Sequence, residues 1–117
     1  MAKLADPFFP DAVKNYRRDL DNCDGILFDY LQSRIILAAG LAKAKHKVGL
    51  PIEDAEREAQ VRESAVKFVK EHGCPLITEQ DITEFIDVII KITKRAEERE
   101  LANIDKGKIQ QENYKIK

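Results

Sequence analysis

Hydrophobic residues recur at steps of three and four along most of the chain. Between Asp11 and about Lys47, a stretch without proline, they fall at Val13, Tyr16, Leu20, Cys23, Leu27, Tyr30, Leu31, Leu37, Ala38 and Leu41, with Val48 just beyond. That spacing predicts an amphipathic helix. Pro7 and Pro10 oppose a helix before it, and Asp11 is placed as its N-cap. Gly25 and Gly40 each cost about 1 kcal/mol relative to alanine without ending it. After Gly49 and Pro51 a second helix is predicted from about Ile52 to Glu71, with Val61, Ala65, Phe68 and Val69 on its apolar face. His72-Gly73 is its stop signal, and Pro75 follows. Thr78-Glu79-Gln80-Asp81 reads as a capping box. A third helix then runs to about Leu101 on a stripe of Ile82, Phe85, Ile86, Ile89, Ile90 and Thr93. This gives a lead-in over residues 1–10, one helical domain over 11–102, and a polar, frayed tail over 103–117, with no internal repeat.

The first helix is long for its chain. About 37 residues at 1.5 Å each make a rod of about 55 Å, whereas a compact domain of this size is only ~35 Å across. Two shorter helices cannot cover its apolar stripe, so the pattern predicts an all-α, three-helix protomer in an intertwined helical homodimer.

Composition narrows the function. The 117 residues hold 20 Lys+Arg against 21 Asp+Glu, a net charge of −1. That balance argues against a nucleic-acid binder, which needs a basic excess. Cys23 and Cys74 form no metal-binding or redox motif, and His46 and His72 do not complete one. The N-terminus lacks the apolar segment of a secretory signal, and no apolar run approaches the ~20 residues of a membrane span. A cytoplasmic protein without metal, cofactor, nucleic-acid or membrane partner is expected.

Several polar residues lie where the pattern wants apolar ones. Arg34 and Lys45 fall on or beside the stripe of the first helix, 11 residues apart. That is close to three turns and ~16 Å along one face, so the two could converge on one ligand. Buried cations need partners, and intersubunit salt bridges would serve equally. Arg17, 17 residues before Arg34, is rotated about 100° from that face. It is either a solvated arginine or a contribution to the partner chain's pocket. Asp54, Arg57 and Glu58 share one face at the start of the second helix, where acidic residues also suit the helix dipole. Thr93 and Glu97 extend the third helix's stripe four residues apart, Glu97 being either the solvated end or a paired or protonated group.

Together these positions resemble the small all-helical class of chorismate mutase. The resemblance runs from about Val13 to Glu98 and is carried by RRDLDNCDGILFDYLQSRIILAAGLAKAKHKVGLPIEDAERE and ITEFIDVIIKITKRAE. The family pattern has an arginine early in helix 1, a second 17 residues on, and a lysine 11 beyond. A proline and then D-x-x-R-E open helix 2, and a hydroxyl residue and an amide or acid sit four apart late in helix 3. Here those residues are Arg17, Arg34, Lys45, Pro51, Asp54, Arg57, Glu58, Thr93 and Glu97. Single matches mean little in so charged a chain; the set at fixed spacing is specific.

The resemblance implies conversion of chorismate to prephenate by an intramolecular Claisen rearrangement, in aromatic amino-acid biosynthesis, without cofactor or covalent intermediate. It implies that Arg34, and Arg17 of the partner subunit, grip the two substrate carboxylates with Arg57 assisting. Lys45 would stabilise charge on the ether oxygen. Glu58, near Asp54, would receive the ring hydroxyl, and Thr93 would support a carboxylate. Glu97 departs from the glutamine of many members. A glutamate donates to the ether oxygen only when protonated, so a partly desolvated Glu97 with a raised pKa is expected. An isochorismate–pyruvate lyase on the same fold and a non-catalytic regulatory dimer are the alternatives. The Glu58–Asp54 pair favours the mutase over the former, and the intact cationic positions argue against the latter.

Overall fold

A computed structural model describes the backbone of residues 9–116 and the side chains of residues 11–107. Three helices follow one another: α1 (Phe9–Val48), α2 (Ala55–His72) and α3 (Glu79–Ile116). The all-helical protomer with a very long N-terminal helix is as expected. The chain divides into two units, residues 1–34 and 35–117, the division falling inside α1.

Each boundary has a local cause, and three differ from the pattern-based reading. α1 starts at Phe9 and includes Pro10. A proline in the first helical turn loses no hydrogen bond, because the N–H groups there lack intrahelical partners. Residues 1–8 of the expected lead-in lie outside the described residues. α2 starts at Ala55, later than Ile52, because Asp54 is its N-cap: the backbone there is extended and the carboxylate accepts from the Arg57 N–H at 2.9 Å. α3 does not end near Leu101 but continues to Ile116. The segment expected to fray contains no proline and is rich in Lys, Gln and Glu, which are good helix formers. The predicted capping box is present: the Thr78 N–H donates to Asp81 Oδ2 at 3.0 Å, and the Asp81 N–H donates to Thr78 Oγ1 at 3.1 Å.

The C-terminus of α1 is closed by a Schellman motif. Leu50 N–H donates to the Lys45 carbonyl at 2.9 Å and Gly49 N–H to that of His46 at 3.3 Å. Gly49 takes the required left-handed conformation, with φ +76°.

In the second unit α2 packs on α3. Half-buried Val61, Ala65 and Val69 on α2, and Ile82, Ile86 and Ile89 on α3, recur at helical spacing. Arg62 and Asp87 bridge the two helices at 2.8 Å, and Lys43 of α1 pairs with Glu100 of α3 at 3.0 Å. The buried apolar core among the described residues is only Ala42 and Ile90. In the first unit no described side chain is buried, and Val13, Tyr16, Leu20, Leu27 and Tyr30 of the apolar stripe are exposed.

α1 contains an 18-residue stretch that is long and apolar enough to cross a membrane by length and composition. Only 6% of that stretch is buried, and length and composition alone do not indicate a membrane.

Candidate active site

Two of the eight candidate residues belong to the first unit. Arg17 is exposed on α1, and Arg34, its last residue, is half-buried. The other six lie in the second unit.

Lys45 is held at both ends. Its carbonyl accepts the Schellman hydrogen bond from Leu50, and its half-buried side chain reaches the α1–α2 connection, where Nζ donates to the Ile52 carbonyl at 3.3 Å. The turn at Gly49 therefore fixes the lysine and the carbonyl it meets as one piece. Ile52 follows Pro51, outside any helix, so its carbonyl is available to an outside donor.

The D-x-x-R-E motif is the start of α2 itself. Asp54 spends its carboxylate on the Arg57 N–H, and its own carbonyl accepts from the Glu58 N–H at 3.0 Å. Asp54 is therefore just outside the helix rather than on its first turn beside Arg57 and Glu58. It orients their backbone as a cap. The Arg57 guanidinium is exposed and lies 3.5 Å from Gln60 Oε1. Glu58 is half-buried, one turn inside the positive end of the helix dipole.

On α3, Thr93 and Glu97 are half-buried and one turn apart. The Thr93 hydroxyl donates to the Ile89 carbonyl at 2.7 Å, a back-bond within the helix. Support of a carboxylate by Thr93 requires that proton to be redirected.

The structure adds a residue that the pattern does not single out. Lys94 Nζ lies 2.8 Å from Glu58 Oε1 and 3.7 Å from Glu53 Oε1. It thus ties the start of α2 to the part of α3 that carries Thr93 and Glu97. The hydrogen bond with Glu58 holds the Lys94 pKa above the usual lysine value, against an opposing desolvation effect and with further help from the charges of Glu58 and Glu53. A signal was present in the sequence: Lys94 falls four residues after Ile90, in line with the Ile82, Ile86 and Ile90 stripe of the third helix. Among the described residues no group of three or more His, Cys, Asp or Glu side chains could hold a metal ion.

Comparison with known proteins gives the family of the chain. The family model for chorismate mutase type II matches residues 16–98, a span that holds all eight candidate residues. The chain is similar to a protein of Streptomyces venezuelae named 4-amino-4-deoxychorismate mutase, 30% identical over 86 residues, which cover 74% of this chain and 81% of the relative. It is also similar to a chorismate mutase of Methanocaldococcus jannaschii, 30% identical over 63 residues, 54% of this chain and 64% of the relative. No solved structure matches with significance. The chain belongs to the type II chorismate mutase family.

Proposed function

We infer that this protein is a chorismate mutase, an isomerase that converts chorismate to prephenate and so serves aromatic amino-acid biosynthesis. The observation that carries this reading is the family match over residues 16–98, inside which every cationic position of the pattern is filled. The reaction breaks the ether C–O bond and forms a C–C bond within one molecule, so nothing is transferred to or from the protein. The chain's task is to select the reactive conformer of a dianion and to stabilise charge developing on the ether oxygen.

In this reading Arg34, and Arg17 of the partner subunit, hold the two carboxylates with Arg57 assisting. Lys45 gives its ammonium to the ether oxygen, exchanging the Ile52 carbonyl for a more negative acceptor. Glu97 donates to the same oxygen in its protonated form. Glu58 accepts from the ring hydroxyl, Asp54 holds the turn that presents it, and Thr93 supports a carboxylate. No metal or cofactor is needed for these steps. The S. venezuelae relative, by its name, acts on a molecule with an amine in place of that hydroxyl, so Glu58 and its surroundings are where the two substrates would be told apart.

A homodimer completes the reading. It is supported by the exposure of the α1 stripe, with Tyr16 at 72%, Leu20 at 61% and Leu37 at 74% of their full accessibility. Apolar side chains in such a row need a cover, and a second α1 offers an equal stripe. The free, exposed thiols of Cys23 and Cys74 suit a reducing cytoplasm.

The test is incubation with chorismate, following loss of substrate absorbance and identifying the product by NMR, with Lys45→Ala alongside. Prephenate that fails to form in the variant supports the assignment. Pyruvate released from isochorismate, with chorismate untouched, would move the protein to the lyase.

A further inference from the structure

The carboxylate of Glu58 is already engaged. Lys94 Nζ lies 2.8 Å from its Oε1, and the two side chains are only partly exposed, at 42% for Lys94 and 22% for Glu58. Lys94 stands directly after Thr93 and three residues before Glu97, so its ammonium belongs to the same stretch of α3 as two candidate site residues. Glu53 is the other anion within reach, at 3.7 Å, but it is 82% exposed. Water and salt screen a carboxylate so placed, and it does not cancel the Lys94 charge toward the interior.

This arrangement has a consequence for whatever Glu58 receives. A carboxylate with no cation beside it accepts from a hydroxyl, but it binds an ammonium more strongly, because that hydrogen bond is charge-assisted at both ends. With an ammonium already in place, its negative charge is compensated while its second oxygen can still accept. A neutral hydroxyl then gains a hydrogen bond without penalty, whereas an amine protonated at neutral pH meets the Lys94 charge at close range. Repulsion of the wrong partner is how a site separates ligands of nearly equal shape.

We propose that Lys94 is a specificity-determining residue, which by pairing with Glu58 selects substrates bearing a neutral hydroxyl at the ring position and rejects those bearing an amine. This rests on the reading that Glu58 meets the ring substituent. Lys94 itself touches no reacting atom.

The experiment measures kcat/KM of the full chain for chorismate and for 4-amino-4-deoxychorismate. Wild type is compared with Lys94→Met, Lys94→Gln, Lys94→Arg and Glu58→Gln, with circular dichroism to confirm folding and calorimetric affinities of both compounds as a second measure of preference. Loss of the charge in Lys94→Met and Lys94→Gln is expected to shift the preference toward the amine by about tenfold or more, and Lys94→Arg is expected to keep the wild-type ratio. A loss of packing alone would lower both values together and leave the ratio in place. If Glu58→Gln impairs chorismate turnover while both neutral Lys94 variants keep the wild-type ratio within about twofold, the proposal for Lys94 is wrong and the reading of Glu58 stands. If Glu58→Gln changes neither substrate, the reading of Glu58 fails and the proposal falls with it.

Discussion

Lys45 donates its side-chain ammonium to the carbonyl of Ile52 at 3.3 Å across the turn that ends α1. The contact is long for a charge-assisted bond and joins a cation to a neutral acceptor, so a developing oxyanion would compete for it successfully. Replacing Lys45 by alanine is expected to lower kcat by about 10²–10³-fold, the range for removing one preorganised donor to an oxyanion. The half-buried position predicts little change in unfolding midpoint. Steady-state kinetics beside a urea titration check both, and a variant that keeps wild-type kcat would remove Lys45 from the chemistry.

Two glycines hold the turns on either side of α2. Gly49 has φ +76° with open space around its Cα, so Gly49→Ala meets only the backbone penalty, about 1–2 kcal/mol. Gly73 has an ordinary extended backbone, but a Cβ there would fall against the backbone of Val69, against the carbonyl oxygen and within 2.8 Å of the Cα. A helix backbone cannot move aside cheaply, so Gly73→Ala is expected to cost about 1–3 kcal/mol. Urea unfolding of each variant measures the losses. An unshifted Gly73→Ala would mean that the α2–α3 connection adapts freely.

The elements that were legible in the sequence are those whose signals are local. The 3–4 spacing gave three helices, and Thr78 with Asp81 gave the start of α3 within a residue. Where pattern and structure differ, two local signals compete. The spacing of Asp54 to Glu58 places it in the first turn, yet a short carboxylate that follows the non-helical residues 50–53 caps more readily than it extends the helix. Pro10 opposes a helix except in a first turn, where it stands, and the segment after Leu101 has the polarity of a tail but the propensity of a helix. The role of Lys94 is not legible for a different reason. Its partner, Glu58, is 36 residues away in sequence, and only the packing of α2 on α3 brings the two together.

The Lys94 pair also carries a pH signature. Its pKa in the folded chain lies above its unfolded value, chiefly through the hydrogen bond with Glu58. The stabilisation is therefore fully present below the unfolded lysine pKa of about 10.4 and is lost as pH rises through the folded one. The stability difference between wild type and Lys94→Met is expected to be constant between about pH 7 and pH 9 and to shrink above about pH 10.4. Denaturant titrations along the pH series follow it, and a difference that grows in alkali would contradict the pairing.

Glu97 provides a second pH test, in the opposite functional sense to a glutamine. An amide donates to the ether oxygen at any pH; a glutamate donates only while it holds its proton, and its anion repels the charge that develops. Chorismate turnover is expected to fall as pH rises through the titration of Glu97, and Glu97→Gln is expected to flatten that fall. Coincident kcat profiles of the two proteins would exclude Glu97 as the donor.

The assignment of Arg17 to the partner's site makes a prediction that no single variant could. Arg17→Ala and Lys45→Ala are each expected to be nearly inactive as homodimers. When the two chains are mixed, unfolded and refolded together, half of the dimers are mixed by random pairing. In a mixed dimer, one site takes its intact Arg17 from the Lys45→Ala chain and its intact Lys45 from the Arg17→Ala chain, while the other site lacks both. Activity should therefore return to about a quarter of the wild-type value per chain, from two proteins that have almost none. Sites built within single chains would give no recovery, because each chain would still carry its own lesion. A recovery near a quarter, with a sedimentation mass of two chains, would establish both the dimer and the exchange of Arg17. A dimer without recovery would keep the assembly and return Arg17 to its own chain.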